Sequence, residues 1–368
     1  MSSRSSDQTR AARASAVHRE PFGTTAEGRA VERYTLTSSS GVSIAVLSFG
    51  GAIQSIMVPD RSGVLGDVTL GYDTLPEYER DKSYLGSLVG RYANRIRAGR
   101  FSLDGRDYTL AQNAGGNSLH GGKRGFNKAV WRLEPFEERG DVGLVLEHVS
   151  PDGDEGYPGT LRVRVTYRLT MEAELQIDFF ATANAATPVN LTQHAYFNLA
   201  GTGSGDILGH QLELGASRFT PVDASLIPTG ELRSVRGTPF DFSTAEPIGA
   251  RIGADDEQLR LAGGYDHNFV LDRNGTDELS LAARLTDPVS GRAIDVHTTE
   301  PGIQFYTGNF LDGTVAGKGG IPHRYRSGLA LETQHFPNSP NEPSFPSTIL
   351  RPGTEHRSRT VYHFVVRG

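Results

Sequence analysis

Apolar and polar residues alternate along much of this chain with the period of two that a β-strand imposes. TLRVRVTYRLT is the cleanest case: Leu161, Val163, Val165, Tyr167 and Leu169 alternate with Arg162, Arg164, Thr166 and Arg168. That is the pattern of an antiparallel strand with one face in a core and the other in water. FSLDGRDYTL sets Asp104-Gly105 between two alternating runs and predicts a hairpin. GVSIAVLSFGGAIQSIMVP reads as two β runs meeting at Gly50-Gly51, and RTVYHFVV as a terminal strand. Helical patterns are confined to LPEYERDKSY and RIGADDEQLRLAG, each bounded by Pro or Gly. Gly (44) and Pro (19) are spread throughout, so elements are short and turns frequent. The predicted fold is all-β, a large antiparallel β-sandwich. With no internal repeat and no Ser/Gly- or Pro-rich linker in the body, residues 21–368 are expected to form one domain. The Ser-, Ala- and Arg-rich residues 1–20 are expected to be a disordered tail.

Four strand-like stretches carry an unusual polar face. In NLTQHAYFNL, Asn190, Thr192, His194, Tyr196 and Asn198 fall opposite Leu191, Gln193, Ala195, Phe197 and Leu199. In YDHNFVL, Asp266 and Asn268 oppose Tyr265, His267 and Phe269. In GIQFYTGNF, Gln304 and Tyr306 oppose Ile303 and Phe305, and in GLALETQHF, Glu332 and Gln334 oppose Leu331, Thr333 and His335. A carboxylate amid apolar residues needs a reason, because burying an unpaired charge is costly. For any one of them a structural network is the commoner reason; four such strands together favour a site. Amides, imidazole, phenol and carboxylates suit sugar hydroxyls, each of which both donates and accepts. Tyr196 is placed to cover the C–H side of a pyranose, whereas alternation turns Phe305 to the other face. In GRYANRIRAGRF, Asn94 and Arg95 follow an aromatic, and Arg95 reads either as a surface charge or as a fork of donors for hydroxyls. In GGNSLHGG, His120 sits among glycines, either as a turn residue or where a ligand approaches the backbone closely.

Composition narrows the classes. A formal net charge of −6 argues against nucleic acid as a main partner. The absence of cysteine removes disulfides, thiolate nucleophiles and cysteine-ligated metals. No stretch is apolar for long enough to span a bilayer, and the first residues lack the apolar region of a secretory signal. A cytoplasmic protein with no membrane or nucleic-acid partner is expected, as a monomer or weak dimer.

GRYANRI, LHGG, SPDGDEGYPG, NLTQHAYFNL, DHNFVL, TTEPGIQFYTGNFL and LETQHFPNSPN resemble, in this order, the motifs of the aldose 1-epimerase (galactose mutarotase) family. They run from about residue 86 to 342, and the flanking strands suit the same fold, so nearly everything but the tail is covered. The resemblance implies a β-supersandwich with a shallow sugar cleft, and an isomerase that interconverts the α and β anomers of free aldohexoses such as glucose and galactose. It implies Glu332 as the base that takes the anomeric hydroxyl proton and His194 as the acid that protonates the ring oxygen, with His120 assisting. Asn94, Arg95, Asp266, Gln304 and Tyr196 are the implied substrate-binding set. No cofactor and no metal are expected, since the site histidines are committed to proton transfer. The base must start ionised and the imidazole protonated, and Asp266 is expected to raise the imidazole's pKa towards neutrality. Two departures from the family pattern, Tyr92 and Asn338, bear on substrate preference rather than on the reaction.

Two other classes compete. A glycoside hydrolase would use Asp266 and Glu332 as its carboxylate pair and would not need His194. A non-catalytic sugar-binding domain would not need both the histidine and the glutamate. A hexose-phosphate epimerase of the same fold would need a cationic pocket, for which only Arg95 lies in a suitable motif.

Overall fold

The run with the clearest alternation forms the strand Leu161–Leu169, with every apolar residue buried and Arg162 and Arg164 exposed. In a computed structural model describing residues 15–273, 275 and 278–368, it lies within a nine-stranded sheet. Its neighbours on either side, Asp141–Ser150 and Glu174–Ala183, pair with it antiparallel. The terminal strand spans His356–Val366 and joins Glu174–Ala183 to Arg292–Thr298. The hairpin predicted at Asp104-Gly105 joins Arg100–Leu103 to Arg106–Thr109. The two β runs flanking Gly50-Gly51 are the paired strands Ser43–Leu47 and Ile53–Pro59.

A further sheet has six strands, in the order Tyr196–Phe197, Leu329–Gln334, Gly302–Tyr306, Asp266–Leu271, Ala216–Phe219 and Arg233–Ser234. Register makes its two faces unlike. Gln304 is level with both Asn268 and Glu332, and Tyr306 with both Asp266 and Ala330, so these side chains share one face. Phe197, Leu329, Leu331, Ile303, Phe305 and Phe269 share the other and enter the main core. Burial of such side chains contributes about 1.5–3 kcal/mol each, enough to hold the polar face in a single register. The core face rests on the terminal strand: Phe197 and Tyr362 rings lie 5.4 Å apart, and Tyr362 donates to the Leu331 carbonyl at 3.3 Å. All-β architecture and antiparallel sheets are as expected.

Three expectations change. Residues 1–14 of the expected tail lie outside the described residues, but its inner end is structured: Ala16–Thr24 is a strand paired with Ala30–Thr37. That strand is largely exposed and charged, with Glu20 bound to Arg33, so it carries little of the alternation that marks a buried strand. NLTQHAYFNL is not one strand. Thr192–Gln193 pairs with Leu88–Val89, and Tyr196–Phe197 pairs with the Leu329–Gln334 strand. The Gln193 amide oxygen accepts from the Ala195 N–H at 2.7 Å between the two pieces, and every residue from Asn190 to Leu199 is buried. The helix expected over LPEYERDKSY is Leu75–Arg80 alone. Beyond it the Asp81 carboxylate captures the N–H groups of Ser83 (2.9 Å) and Leu85 (3.0 Å) and turns the chain. The second helix is Glu257–Ala262, capped by Asp256 and closed by Gly263 at φ 67°.

Candidate active site

The polar face of the six-stranded sheet floors a cleft of about 500 Å³ lined by Asn94, Arg95, His120, His194, Tyr196, Asp266 and Glu332. These expected site residues come from segments up to 238 positions apart (332 − 94) and meet in one place. Gln304 is the exception. It lies behind the lining, where its amide Nε2 donates to Asp266 Oδ1 at 2.6 Å. It orients Asp266 instead of facing the cleft. Asp266 has a second partner in Arg95, 3.5 Å away.

The loops that deliver the imidazoles are held by backbone bonds. His194 donates its N–H to the Ser87 carbonyl and accepts from the Gly86 N–H, each at 2.9 Å. His120, at φ 49°, donates its N–H to the Asn94 carbonyl at 3.0 Å, and its ring Nδ1 accepts from the Asn94 N–H at 3.1 Å. An Nδ1 that accepts carries no proton, so the neutral ring carries its hydrogen on Nε2 as a donor. Asn94 turns its Oδ1 to the Arg95 N–H at 2.9 Å, leaving the amide nitrogen as its donor. The glycines after His120 serve packing, not ligand approach. A Cβ on Gly121 would lie 2.0 Å from the Gly90 carbonyl oxygen, and one on Gly122 would lie 2.2 Å from a Glu155 oxygen. Glu155 in turn accepts from the N–H groups of Lys123 and Arg124, fixing this loop from the SPDGDEGYPG segment. From the same segment, the carbonyls of Pro151, Pro158 and Gly159 bind the buried Arg91 guanidinium.

Neither departure from the family pattern reaches the cleft. Tyr92 is fully buried with Phe101 and Tyr157 in a side core. Asn338 donates its N–H to the Arg95 carbonyl and accepts from the Arg97 N–H on its Oδ1, so it braces the arginine's backbone. The bearing on substrate preference expected of both is replaced by packing roles.

Sequence reasoning missed part of the wall: Lys82, Ser83, Tyr84, Leu119 and Phe310 also line the cleft, and Tyr306 joins them from the sheet. Tyr84 has φ 59°, a conformation that ordinary residues seldom adopt. Its ring stacks on His194 at 6.0 Å and meets His120 edge-on at 4.5 Å. The helix pattern over LPEYERDKSY concealed it, because the helix signal runs straight through the turn that Asp81 makes. Lys128 secures that turn, donating to the carbonyls of Tyr78, Glu79 and Asp81. Phe310 supplies the exposed aromatic of the cleft, while Phe305 is buried on the core face as alternation predicts.

At the floor of the cleft, His194 Nε2 lies 3.5 Å from Glu332 Oε1. Burial pushes the imidazole down to about 4. Burial, and then the Asp266 charge, push Glu332 up to about 8 against the pull of Arg95. His120 is held well below the usual imidazole value by burial and by its neighbour His194. The expectation that Asp266 raises the imidazole is therefore overturned. Water exclusion sets the direction at His194, and the Asp266 charge acts on Glu332. In the free cleft the pair holds one proton between about pH 4 and pH 8. The form with an ionised base and a protonated acid has the same proton count and differs only by transfer across the 3.5 Å gap.

Ligand atoms of His120, His194 and Glu332 lie within 4.8 Å of one another, a spacing that invites a metal. The donor set does not fit one. A metal-bound imidazole donates its other N–H outward, whereas His120 Nδ1 accepts from Asn94 and fixes the hydrogen on Nε2.

Residues 32–363 match the family model described as aldose 1-epimerase, and the chain belongs to that family. Galactose mutarotase of Sus scrofa is 46% identical over 351 residues, covering 95% of this chain and 99% of that one. Aldose 1-epimerase of Escherichia coli K12 is 39% identical, covering 92% and 96%. Among solved structures, the aldose epimerase homologue from C. elegans superposes with a TM-score of 0.82 at 32% identity, covering 90% of this chain and 98% of that one.

Proposed function

We infer that this chain is an aldose 1-epimerase, an isomerase that interconverts the α and β anomers of free aldohexoses, galactose and glucose foremost. The observation that carries this reading is the 3.5 Å approach of His194 Nε2 to Glu332 Oε1 inside a cleft walled by hydroxyl-binding groups. Membership of the family and the mutarotase relatives support it.

Glu332, as carboxylate, takes the proton from the anomeric hydroxyl while His194, as imidazolium, gives one to the ring oxygen. The C1–O5 bond breaks and the open-chain aldehyde forms. Rotation about C1–C2 presents the other carbonyl face, and the same two transfers run in reverse close the other anomer. Substrate binding favours the charged form of the pair, since a hydroxyl donor stabilises the carboxylate and a ring-oxygen acceptor stabilises the imidazolium. His120 presents its Nε2–H to the ring oxygen or a neighbouring hydroxyl. Asn94, Arg95, Asp266 and Tyr196 hold the remaining hydroxyls, with Gln304 fixing Asp266 from behind.

A glycoside hydrolase would need Asp266 as a partner acid or nucleophile. Here Asp266 is occupied by Gln304 and Arg95, while an imidazole faces Glu332 directly. We place the protein in the cytoplasm, acting as a monomer or weak dimer with residues 21–368 as one catalytic domain. The lack of cysteine supports that compartment, and no helix among the described residues is long and apolar enough to cross a membrane. Release of optical rotation from freshly dissolved α-galactose, followed with and without enzyme, tests the reading, and a parallel assay on a methyl galactoside tests the hydrolase.

A further inference from the structure

The backbone on both sides of His120 is gripped by one side chain that does not line the cleft, Asn113. Its Oδ1 accepts the Leu119 N–H at 2.8 Å, and its Nδ2 donates to the carbonyls of Leu119 and Gly122, each at 2.9 Å. These partners stand one residue before His120 and two after it, so a single amide closes the chain around the imidazole. Among the described residues no other side chain bonds the Leu119 or Gly122 backbone; Glu155 holds the loop farther on, at Lys123 and Arg124. Asn113 is half-buried, and its own N–H donates to the Asn117 carbonyl at 3.1 Å.

The chemistry of the grip is specific to an amide. Its nitrogen has two hydrogens, and the two 2.9 Å bonds use both, so the 3.3 Å contact with the Tyr84 hydroxyl is secondary. An aspartate has the same shape but no N–H, and would set a carboxylate against two carbonyl oxygens. His120 needs such a grip because its φ of 49° lies in the left-handed region, which a residue with a side chain keeps only where its surroundings enforce it. With the backbone held there, the Asn94 N–H reaches His120 Nδ1 at 3.1 Å and the ring hydrogen stays on Nε2. The ring then stands edge-on to His194, with centroids 5.2 Å apart.

We propose that Asn113 is a positioning residue for the reaction: by bridging Leu119 and Gly122 it holds His120 in the conformation that presents Nε2–H to the bound sugar. The proposal rests on the mutarotase reading of the cleft. Asn113 touches no reacting atom and adds no chemical step; it acts through His120 alone.

The test is a double-mutant cycle on galactose, read by polarimetry as kcat/KM, with Asn113→Asp, His120→Asn and the two combined. Each single variant is expected to lose ten-fold or more. The double variant should fall within three-fold of His120→Asn, because the imidazole through which Asn113 acts is already gone. Asn113→Ala, which releases the grip without adding a charge, should reproduce the loss, and thermal melts establish that the compared proteins are folded. A further loss of more than three-fold in the double variant overturns the proposal, since Asn113 would then act independently of His120. Folded Asn113 variants that lose less than ten-fold overturn it, as does a His120→Asn protein that does. Failure of both Asn113→Asp and Asn113→Ala to fold overturns it too, by assigning the residue to the fold as a whole. No turnover of galactose by the unaltered protein would instead remove the mutarotase reading beneath it.

Discussion

His194 Nε2 and Glu332 Oε1 face each other across 3.5 Å, and their surroundings hold a single proton between them through the neutral pH range. Below about pH 4 His194 also becomes protonated, Glu332 stays neutral, and no base remains. Above about pH 8 Glu332 gives up the shared proton and no acid remains. The profile of kcat/KM is therefore bell-shaped with limbs near these values, and the limbs belong to the pair. With ordinary values, about 4.3 for a glutamate and about 6.5 for an imidazole, the acidic limb would belong to Glu332 and the basic limb to His194; burial inverts that order.

The inversion has its own signature in His194→Asn. With the imidazole gone, the surviving titration is that of Glu332, whose carboxylate is needed as base. The variant should lose about 10²–10⁴ in rate, and what remains should rise with pH to a plateau above about 8. A residual rate that still falls on the alkaline side, measured by kcat/KM against pH, would assign the basic limb elsewhere, with His120 the first group to examine.

Tyr84 separates shape from hydrogen bonding. Its hydroxyl accepts only a 3.3 Å bond from Asn113, whereas its ring covers both imidazoles. Tyr84→Phe should retain at least half the activity. Tyr84→Ala should admit water beside His194, let its pKa rise towards the ordinary value, and move the acidic limb upwards by a measurable fraction of a pH unit or more. The two pH profiles, compared at matched substrate, decide it.

Arg95 touches Asp266 at 3.5 Å and lines the cleft, so it contributes to binding and to the reacting geometry together. Arg95→Ala should raise KM and lower kcat for both galactose and glucose. Unchanged constants for both sugars would remove Arg95 from the site.

Metal independence follows from the direction of one hydrogen bond, Asn94 N–H to His120 Nδ1. Exhaustive dialysis against a chelator should leave mutarotation intact. A reproducible loss restored by a divalent ion would contradict the tautomer assigned to His120.

The polar face was legible in the sequence because strand alternation is a local rule, and it correctly set Asp266, Glu332 and Tyr306 opposite Phe269, Leu331 and Phe305. What alternation does not carry is depth. Gln304 shares that face yet does not line the cleft: its amide is turned to Asp266, which does. Nor does it carry turns made by side chains. Tyr84 was hidden because the helix ends early at Asp81, whose carboxylate is held by the Tyr72 hydroxyl and whose carbonyl is held by Lys128. The pKa order was unreadable for the same reason, since it depends on how completely the loops exclude water from His194. Motif resemblance, by contrast, named residues that lie together in the cleft, because it encodes residues that meet only in the folded chain.

The most direct test of the account is the rate at which the optical rotation of fresh α-galactose decays with the unaltered protein and with Glu332→Gln at neutral pH. The substitution preserves shape and one hydrogen bond but removes the base. The account predicts rapid enzyme-dependent decay for the first and a loss of about 10²–10⁴ for the second, with galactose binding by calorimetry kept within a few-fold. A Glu332→Gln protein that retains more than half the rate would contradict it.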